Sequence, residues 1–587
     1  MHRIILGLLC LVGLLNAQDI PQFELDHRIQ LSVDRLTDQD RQPAFSHDFL
    51  LADVKLNPAD PRRFYNFSGD LSGRYIEVMS LLSEERREKT KLDELVKAVI
   101  SFQKADGRFG DPDLQYNAEE IGGEHMALPW GNGRLLVGLM AYYEQTKDPA
   151  TLVAATQLGD FFITTAQACR EPAVVELLKT YGAKGIICFT QYIEGLAMLA
   201  KASGEERFVQ AAKDAYTVMP PRGTQHTHGY LSTLRGVLLL YELTQDQKML
   251  DYVETTFGDL LDSEDHTVYG AVFEFFGGET DATDAGSSGN RDEGCSSADF
   301  VRLSLHLHQL TGDEKYLEAG EKGLLNALYY NQYGNGDFGH HYFSDGVIKA
   351  SNPRRSWWCC TMHGLRGLLA VKNEFGITRE DDQVQINLLA TQTYDDGQVA
   401  FSIEQEELEA GREQFRIRID NWERGIGMIL PKPDWGKDWK THLNGKEVTV
   451  NSREKNTTLS YSGLKPGDLL ELSAKFALSF HAPGKRETEK DLPNQPTNGY
   501  LTYGPYVLGI NQESFVAEPD WANQVLLPDL VPAAAPNTLT TSFRHSGYPG
   551  IHPVKLVPMA YQLYQGHPYL RLTTNYGKQI IPKSPDE

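Results

Sequence analysis

At 587 residues the chain exceeds what one hydrophobic core organises, so about two to four domains are expected. Its 41% hydrophobic and 23% charged residues are an ordinary globular mixture, which excludes disordered and fibrous classes. A formal net charge of −24 argues against a nucleic-acid partner, since a phosphate backbone demands a basic face.

The chain opens as a secretory signal. His2 and Arg3 form the charged start, Ile4 to Leu15 the apolar run, and Leu15-Asn16-Ala17 the cleavage site. The run is shorter than the roughly 20 residues that span a bilayer, and no later stretch is apolar enough to do so. Cys10 raises the alternative of a lipoprotein, but Leu9 is a poor fit to the small residue such processing prefers. An exported protein, periplasmic or secreted, is expected. Removal of residues 1–17 leaves Cys169, Cys188, Cys295, Cys359 and Cys360, an odd number that cannot all pair within one chain. Cysteines outside disulfides in an exported protein point to metal binding. Cys169 and Cys188 read as inert core residues, with a disulfide as the alternative.

From about residue 70 to 376 the pattern is helical and loosely repetitive. Helices end in short polar turns from which the next helix starts: Ser83-Glu84-Glu85, Thr146-Lys147-Asp148-Pro149, Ser203-Gly204-Glu205, Thr244-Gln245-Asp246 and Thr311-Gly312-Asp313. Each offers a capping residue, and most add acidic or Pro residues suited to a first turn. Apolar residues precede them at helical spacing, as with Leu234, Val237, Leu238 and Tyr241. These hairpins, with a last helix after Cys360, predict an (α/α)6 barrel; an open helical array is the alternative. After Gly376 the period changes to alternation at Val384, Ile386 and Leu388 and at Phe415, Ile417 and Ile419, with an Asn444-Gly445 hairpin signal. The expected class is therefore α+β and multidomain: a catalytic (α/α)6 barrel over 18–378, an antiparallel β-sandwich over 379–485 and a C-terminal β-sandwich over 486–587. The β-domains are expected to give structural support.

Two short pieces carry the chemistry. Arg291-Asp292-Glu293-Gly294-Cys295 and Trp357-Trp358-Cys359-Cys360 each stand just before a predicted helix, where free N–H groups and the helix dipole favour thiolates. Together they supply three sulfurs and a carboxylate, the number and type for tetrahedral zinc. A vicinal Cys359–Cys360 disulfide, two buried thiols or a purely structural zinc are the competing readings. His125, Trp130, His226, His228 and Tyr342 are candidate substrate contacts lining the pocket, each with a plain structural role as its alternative.

These pieces resemble glycoside hydrolase family 127, the β-L-arabinofuranosidases, and the wider group around it. The resemblance covers most of the mature chain. His226-Thr227-His228 leading into Leu234-Arg235-Gly236 is similar to a family histidine segment near the sugar, and Gly504-Pro505 is similar to a family mark in the β region. The resemblance implies an (α/α)6 barrel followed by β-sandwiches, zinc held by Glu293, Cys295, Cys359 and Cys360, and Cys359 as the nucleophile. It further implies an acid/base Glu on a Gly-rich loop, for which Glu279 in Phe276-Gly277-Gly278-Glu279 is the best match. Glu274 is the runner-up, Asp281 and Asp284 share the loop, and a solvated acidic loop or a calcium site is the alternative. Where the family often continues Cys-Cys with Pro-Pro-Asn, this chain has Thr361, Met362 and His363, which bears on sugar specificity. The implied activity is exo-acting, retaining release of a β-L-arabinofuranoside-like sugar from plant or algal oligosaccharides. Elimination by a lyase or dehydratase on the same toroid is the alternative, and a sugar-binding protein with structural zinc is a third reading. The product separates them, as a new reducing end, an ultraviolet-absorbing double bond or neither.

Overall fold

The computed structural model describes residues 24–60, 66–88, 91–181, 185–278, 291–344, 346–350, 356–409, 411–448, 451–452, 458–481, 497–511, 523–532, 538–545, 548–561, 569–572 and 574–577. The signal-like segment and the loop carrying Glu279, Asp281 and Asp284 lie outside these residues.

The helical part is a closed double ring. Its inner helices are Asp70–Ser80, Gly123–Thr146, Tyr192–Ser203, Thr227–Thr244, Gly294–Thr311 and Trp357–Ala370. Each packs on the next, and the last packs back on the first, so the array closes as the barrel reading expects. Outside them lie Leu92–Ile100, Pro149–Cys169, Glu206–Tyr216, Gln247–Leu261 and Glu314–Lys322, each packed on the inner helix that precedes it.

The local cause of each hairpin is a repeated cap. Thr146, Thr244 and Thr311 each donate their hydroxyl to the carbonyl four residues back and accept the backbone N–H two residues on. The residue between, Lys147, Gln245 or Gly312, is left-handed and ends the helix. Asp148, Asp246 and Asp313 then cap the next helix through Thr151, Lys248 and Lys315 N–H groups, each cap worth about 1 kcal/mol.

The sixth hairpin is completed from the other end of the chain. Helix Leu25–Thr37, which the sequence pattern did not reveal, packs on Trp357–Ala370. Arg28 donates to Tyr329 O at 2.9 Å, Ser32 Oγ to Gly336 O at 2.8 Å, and Arg35 pairs with Asp337 at 2.7 Å. These bonds tie the helix to a segment some three hundred residues away in sequence.

Beyond the barrel, a five-stranded and a six-stranded sheet carry the alternating residues, with Phe415, Ile417, Ile419, Val384 and Ile386 all buried. Asn444 and Gly445 both take positive φ in a tight hairpin turn. Strand Leu478–His481 already pairs into the last sheet, through Thr497–Tyr503. That sheet is eleven-stranded, and its first three strands come from the barrel's own loops: Arg291–Glu293, His340–Ser344 and Val347–Ala350, the third meeting Tyr569–Arg571. Gly504-Pro505 makes the turn between Thr497–Tyr503 and Tyr506–Asn511. There Asn326 receives Val507 N–H at 2.7 Å and donates to Pro505 O at 3.0 Å, fastening sheet to barrel. The last sheet thus runs through to the strand that carries Glu293. Among the described residues no helix is long and apolar enough to cross a membrane.

Candidate active site

The N-terminal ends of the inner helices meet at one mouth of the barrel. Glu293 is extended and precedes helix Gly294–Thr311, with Cys295 in the first turn, while Cys359 and Cys360 occupy the first turn of Trp357–Ala370. The Glu293 strand is held in register opposite His340, and buried Asp292 fixes it by accepting from Tyr269 and from His341 N–H. Gly294 between Glu293 and Cys295 stands in close quarters. A Cβ there would lie 2.9 Å from Asn331 Oδ1 and 3.1 Å from Cys360 Cβ, so any side chain would press on the turn that carries Cys360.

The four donor atoms of Glu293, Cys295, Cys359 and Cys360 lie within 4.8 Å of one another, all buried. Cys295 Sγ is 3.7 Å from Cys360 Sγ, Cys359 Sγ is 3.8 Å from Cys360 Sγ, and Cys360 Sγ is 3.8 Å from Glu293 Oε1. A tetrahedron with metal–sulfur bonds of roughly 2.3 Å has edges of about 3.8 Å. Disulfide bonding, at about 2.05 Å, is not what these sulfurs do, and Cys169, Cys188, Cys295, Cys359 and Cys360 all stand outside disulfides. Cys169 and Cys188 are buried as core residues.

The electrostatics of the group are compatible with a bound cation. Burial pushes the Glu293 carboxyl and the Cys295 thiol well above their ordinary ranges, and the Cys360 thiol up to about 12. Hydrogen bonds from Cys295 and Cys360 pull Cys359 down to about 6. Left to themselves the four groups share little negative charge, and all four ionise only around a metal ion, which this donor set fits. Cys359 is also the most exposed of the three cysteines, at 8% against 0% for Cys295 and Cys360.

Around the cluster, His226 caps its helix by accepting Gly229 N–H through Nδ1 and points Nε2 at Glu293, 3.9 Å away. Trp130 meets the rings of His226 and His228 edge-on at 5.5 Å and donates to Asp70 at 2.9 Å. His228 lies deeper, bonded to Asp299 and Arg74. His125 accepts Gly122 N–H at the start of its helix and packs on the edge of Tyr116, away from the cluster. Tyr342 stands opposite Arg291 across the strand pair and hydrogen-bonds its guanidinium.

Glu274 is the acidic residue of the Phe276-Gly277 region that the described structure brings into the site. Its carbonyl accepts Thr227 N–H at 2.8 Å and its N–H donates to Arg291 O at 2.7 Å, and its side chain pairs with Arg291 and with His340. Burial alone would raise this carboxyl, but His340 and Arg291 outweigh it and hold it at about 2, while Glu274 in turn lifts His340 to about 9 against the effect of burial. Sequence reasoning missed His340, Arg74 and Asp299. The His340-His341 pair shortly before Cys-Cys was the visible signal for the first, while the other two are placed by long-range packing.

A second buried group, His228, Asp299 and His363, also has donor types that can hold a metal. Its atoms are already spent on one another at 2.5 and 2.9 Å, and Arg74 and Arg302 flank it with positive charge.

Buried neutral histidines make stability acid-sensitive. Burial depresses His226, His266 and His363 to about 4 from an ordinary value near 6.5. The unfolded chain therefore binds more protons below about pH 6.5, and stability present above that value is lost as pH falls towards 4, by about 1.4 kcal/mol per pH unit per histidine in that window. The melting temperature is expected to drop steadily between pH 6.5 and 4.5. His266 stacks on Phe300 away from the cluster, so His266→Gln should soften the drop without affecting any metal. A melting temperature flat across that window would contradict the linkage.

Residues 25–373 match the family model for the GH127 catalytic domain of β-L-arabinofuranosidases. The fold is similar to that of a GH127 β-L-arabinofuranosidase from Geobacillus stearothermophilus T6, with a TM-score of 0.65 at 14% identity over 94% of this chain and 98% of that one. It is also similar to a second GH127 β-arabinofuranosidase, with a TM-score of 0.68 at 16% identity over 94% of each chain. No curated protein matches the chain. The solved structures establish the barrel followed by β-domains, and the family model spans more than half of the sequence: the chain belongs to glycoside hydrolase family 127 and is a glycoside hydrolase.

Proposed function

We propose that this hydrolase is an exported, zinc-dependent, exo-acting enzyme that releases a β-L-arabinofuranoside-like sugar from plant or algal oligosaccharides with retention, using Cys359 as nucleophile and Glu279 as acid/base. The observation that carries the reading is the donor set of three sulfurs and a carboxylate at tetrahedral edge lengths, with one sulfur more acidic and more exposed than the others.

In the first step Cys359 Sγ bonds to the anomeric carbon as the glycosidic C–O bond breaks, and Glu279 gives its proton to the departing oxygen. In the second, the Glu279 carboxylate takes a proton from water, the water oxygen bonds to the anomeric carbon, and the C–S bond breaks with its electrons returning to Cys359. Zinc, when bound by Glu293, Cys295, Cys359 and Cys360, would stabilise the sulfur anion before attack and on departure. His226 and Trp130, at the mouth beside Glu293, suit the sugar hydroxyls and ring face. Export rests on the charged, apolar and small-residue pattern of residues 1–17.

Protein purified from its native host is expected to start near Gln18 and to carry about one zinc per chain. Cys295→Ala should release that zinc and lower the melting temperature, because the four donors close one site. Metal analysis finding no zinc, or Cys295→Ala retaining it, would remove the metal from the reading; an intact Met1 or a lipid on Cys10 would remove simple export.

A further inference from the structure

Arg74 projects from the inner helix Asp70–Ser80 to the thiol cluster, and each arm of its guanidinium is committed. Nε donates to both Asp70 carboxylate oxygens at 3.0 and 3.1 Å, Nη2 to His228 Nε2 at 2.9 Å, and Nη1 to Cys295 Sγ at 3.7 Å. Because His228 accepts through Nε2, its proton sits on Nδ1 and is donated to Asp299. Asp299 also accepts from His363 Nε2 at 2.9 Å and from Arg302 at 3.1 Å. The chain of contacts therefore runs His363, Asp299, His228, Arg74, Cys295, all buried. His363, the departure from the family's Pro-Pro-Asn continuation, forms its far end.

Burying a guanidinium is costly unless every arm is paired, and Asp70 alone satisfies only one side. The Cys295 sulfur completes the set. Three thiolates and a carboxylate around a divalent ion leave two surplus negative charges, and a guanidinium in contact offsets one of them. An N–H bond to sulfur also withdraws electron density, which makes that thiolate a poorer nucleophile. The Arg74 charge also reaches Cys359, but its N–H bond goes to Cys295; Cys359 Sγ meets Ser356 O at 3.5 Å and Cys360 Sγ at 3.8 Å.

We propose that Arg74, held by Asp70 and by the His228–Asp299–His363 relay, is a positioning residue that quietens the Cys295 sulfur as the permanent ligand and so leaves Cys359 as the reactive one. The inference rests on the metal and nucleophile reading above.

Cobalt(II) substituted for zinc gives the test, through thiolate-to-cobalt charge-transfer absorption. Arg74→Met alone would strand Asp70, so Arg74→Met/Asp70→Asn removes both charges together. In this variant the charge-transfer band is expected to move to longer wavelength, since an unbonded sulfur gives up its electrons more easily. The kcat should fall while KM stays nearly unchanged, and Arg74→Lys should recover part of both effects. If the paired variant fails to fold, Arg74→Lys carries the test alone, with an intermediate shift expected because it keeps the charge but loses the fork. Bands that superimpose on wild type in a folded variant overturn the role of Arg74 and leave the metal reading standing. A wild-type protein that shows no thiolate-to-cobalt band overturns the metal reading and this inference with it.

Discussion

Cys359→Ser is expected to lower kcat by on the order of 10⁴–10⁶, the scale at which removing a covalent nucleophile ordinarily acts. The sulfur it removes is the one pulled down to about 6 and the most exposed of the three, whereas Cys295 and Cys360 are fully buried and pushed up. A serine hydroxyl there stays protonated and attacks poorly. A purely structural metal site predicts something different: losing Cys295 or Cys359 would then act alike, through folding. Cys359→Ser should instead keep a near-native melting temperature, because a hydroxyl still fits the first turn beside Ser356 O. An electrophilic sugar analogue supplies the direct check, by mass analysis of labelled peptides. Label on Cys359 is the expected result, and label on Cys360 or on a carboxylate would overturn the assignment.

The parts of the fold that local chemistry dictates were legible in the sequence. Thr146, Thr244 and Thr311 with their following aspartates specify a stop and a start within three residues, and the structure has a hairpin at each. Asn444-Gly445 is likewise a self-contained turn. Helix Leu25–Thr37 was missed because its partner, Trp357–Ala370, lies at the other end of the barrel sequence and no short turn joins them. Strands Arg291–Glu293 and Val347–Ala350 were missed because three or four residues are too few to show alternation. The same division holds at the site. Glu293, Cys295, Cys359 and Cys360 were readable because two compact pieces carry all four donors. His340 shows only as half of a His-His pair, and Arg74 and Asp299 carry no local signal of their roles: a buried ion pair or a sulfur contact exists only once the ring has closed and brought Asp70–Ser80 against Trp357–Ala370.

The acid/base assignment is where sequence and structure divide the work. Glu274 stands inside the described site, near His226 and Glu293, and by position alone it would be the candidate. Its charge argues otherwise. Held at about 2 by His340 and Arg291, against the raising effect of burial, it is a carboxylate at neutral pH and has no proton to give a leaving oxygen. A general acid works best with a pKa near the working pH. Glu279 sits five residues further along, in the Gly-Gly-Glu piece that resembles the family's loop, and carries the proposal for that reason. Glu279→Gln is expected to lower kcat by roughly 10²–10⁴ on substrates with a poor leaving group, and much less on activated aryl glycosides, whose departure needs little protonation. Zinc content and melting temperature should stay near wild type, since no proposed ligand is touched. Glu274→Gln should behave in the opposite way: it frees Arg291 and His340 beside Glu293, so its losses should appear in stability and metal retention, with no dependence on the leaving group. Measuring kcat for both variants across a series of aryl leaving groups separates the two. A leaving-group dependence that appears in Glu274→Gln and is absent in Glu279→Gln would move the proton to Glu274, and with it the view that the Arg291–Glu274–His340 group serves to hold the site rather than to turn it over.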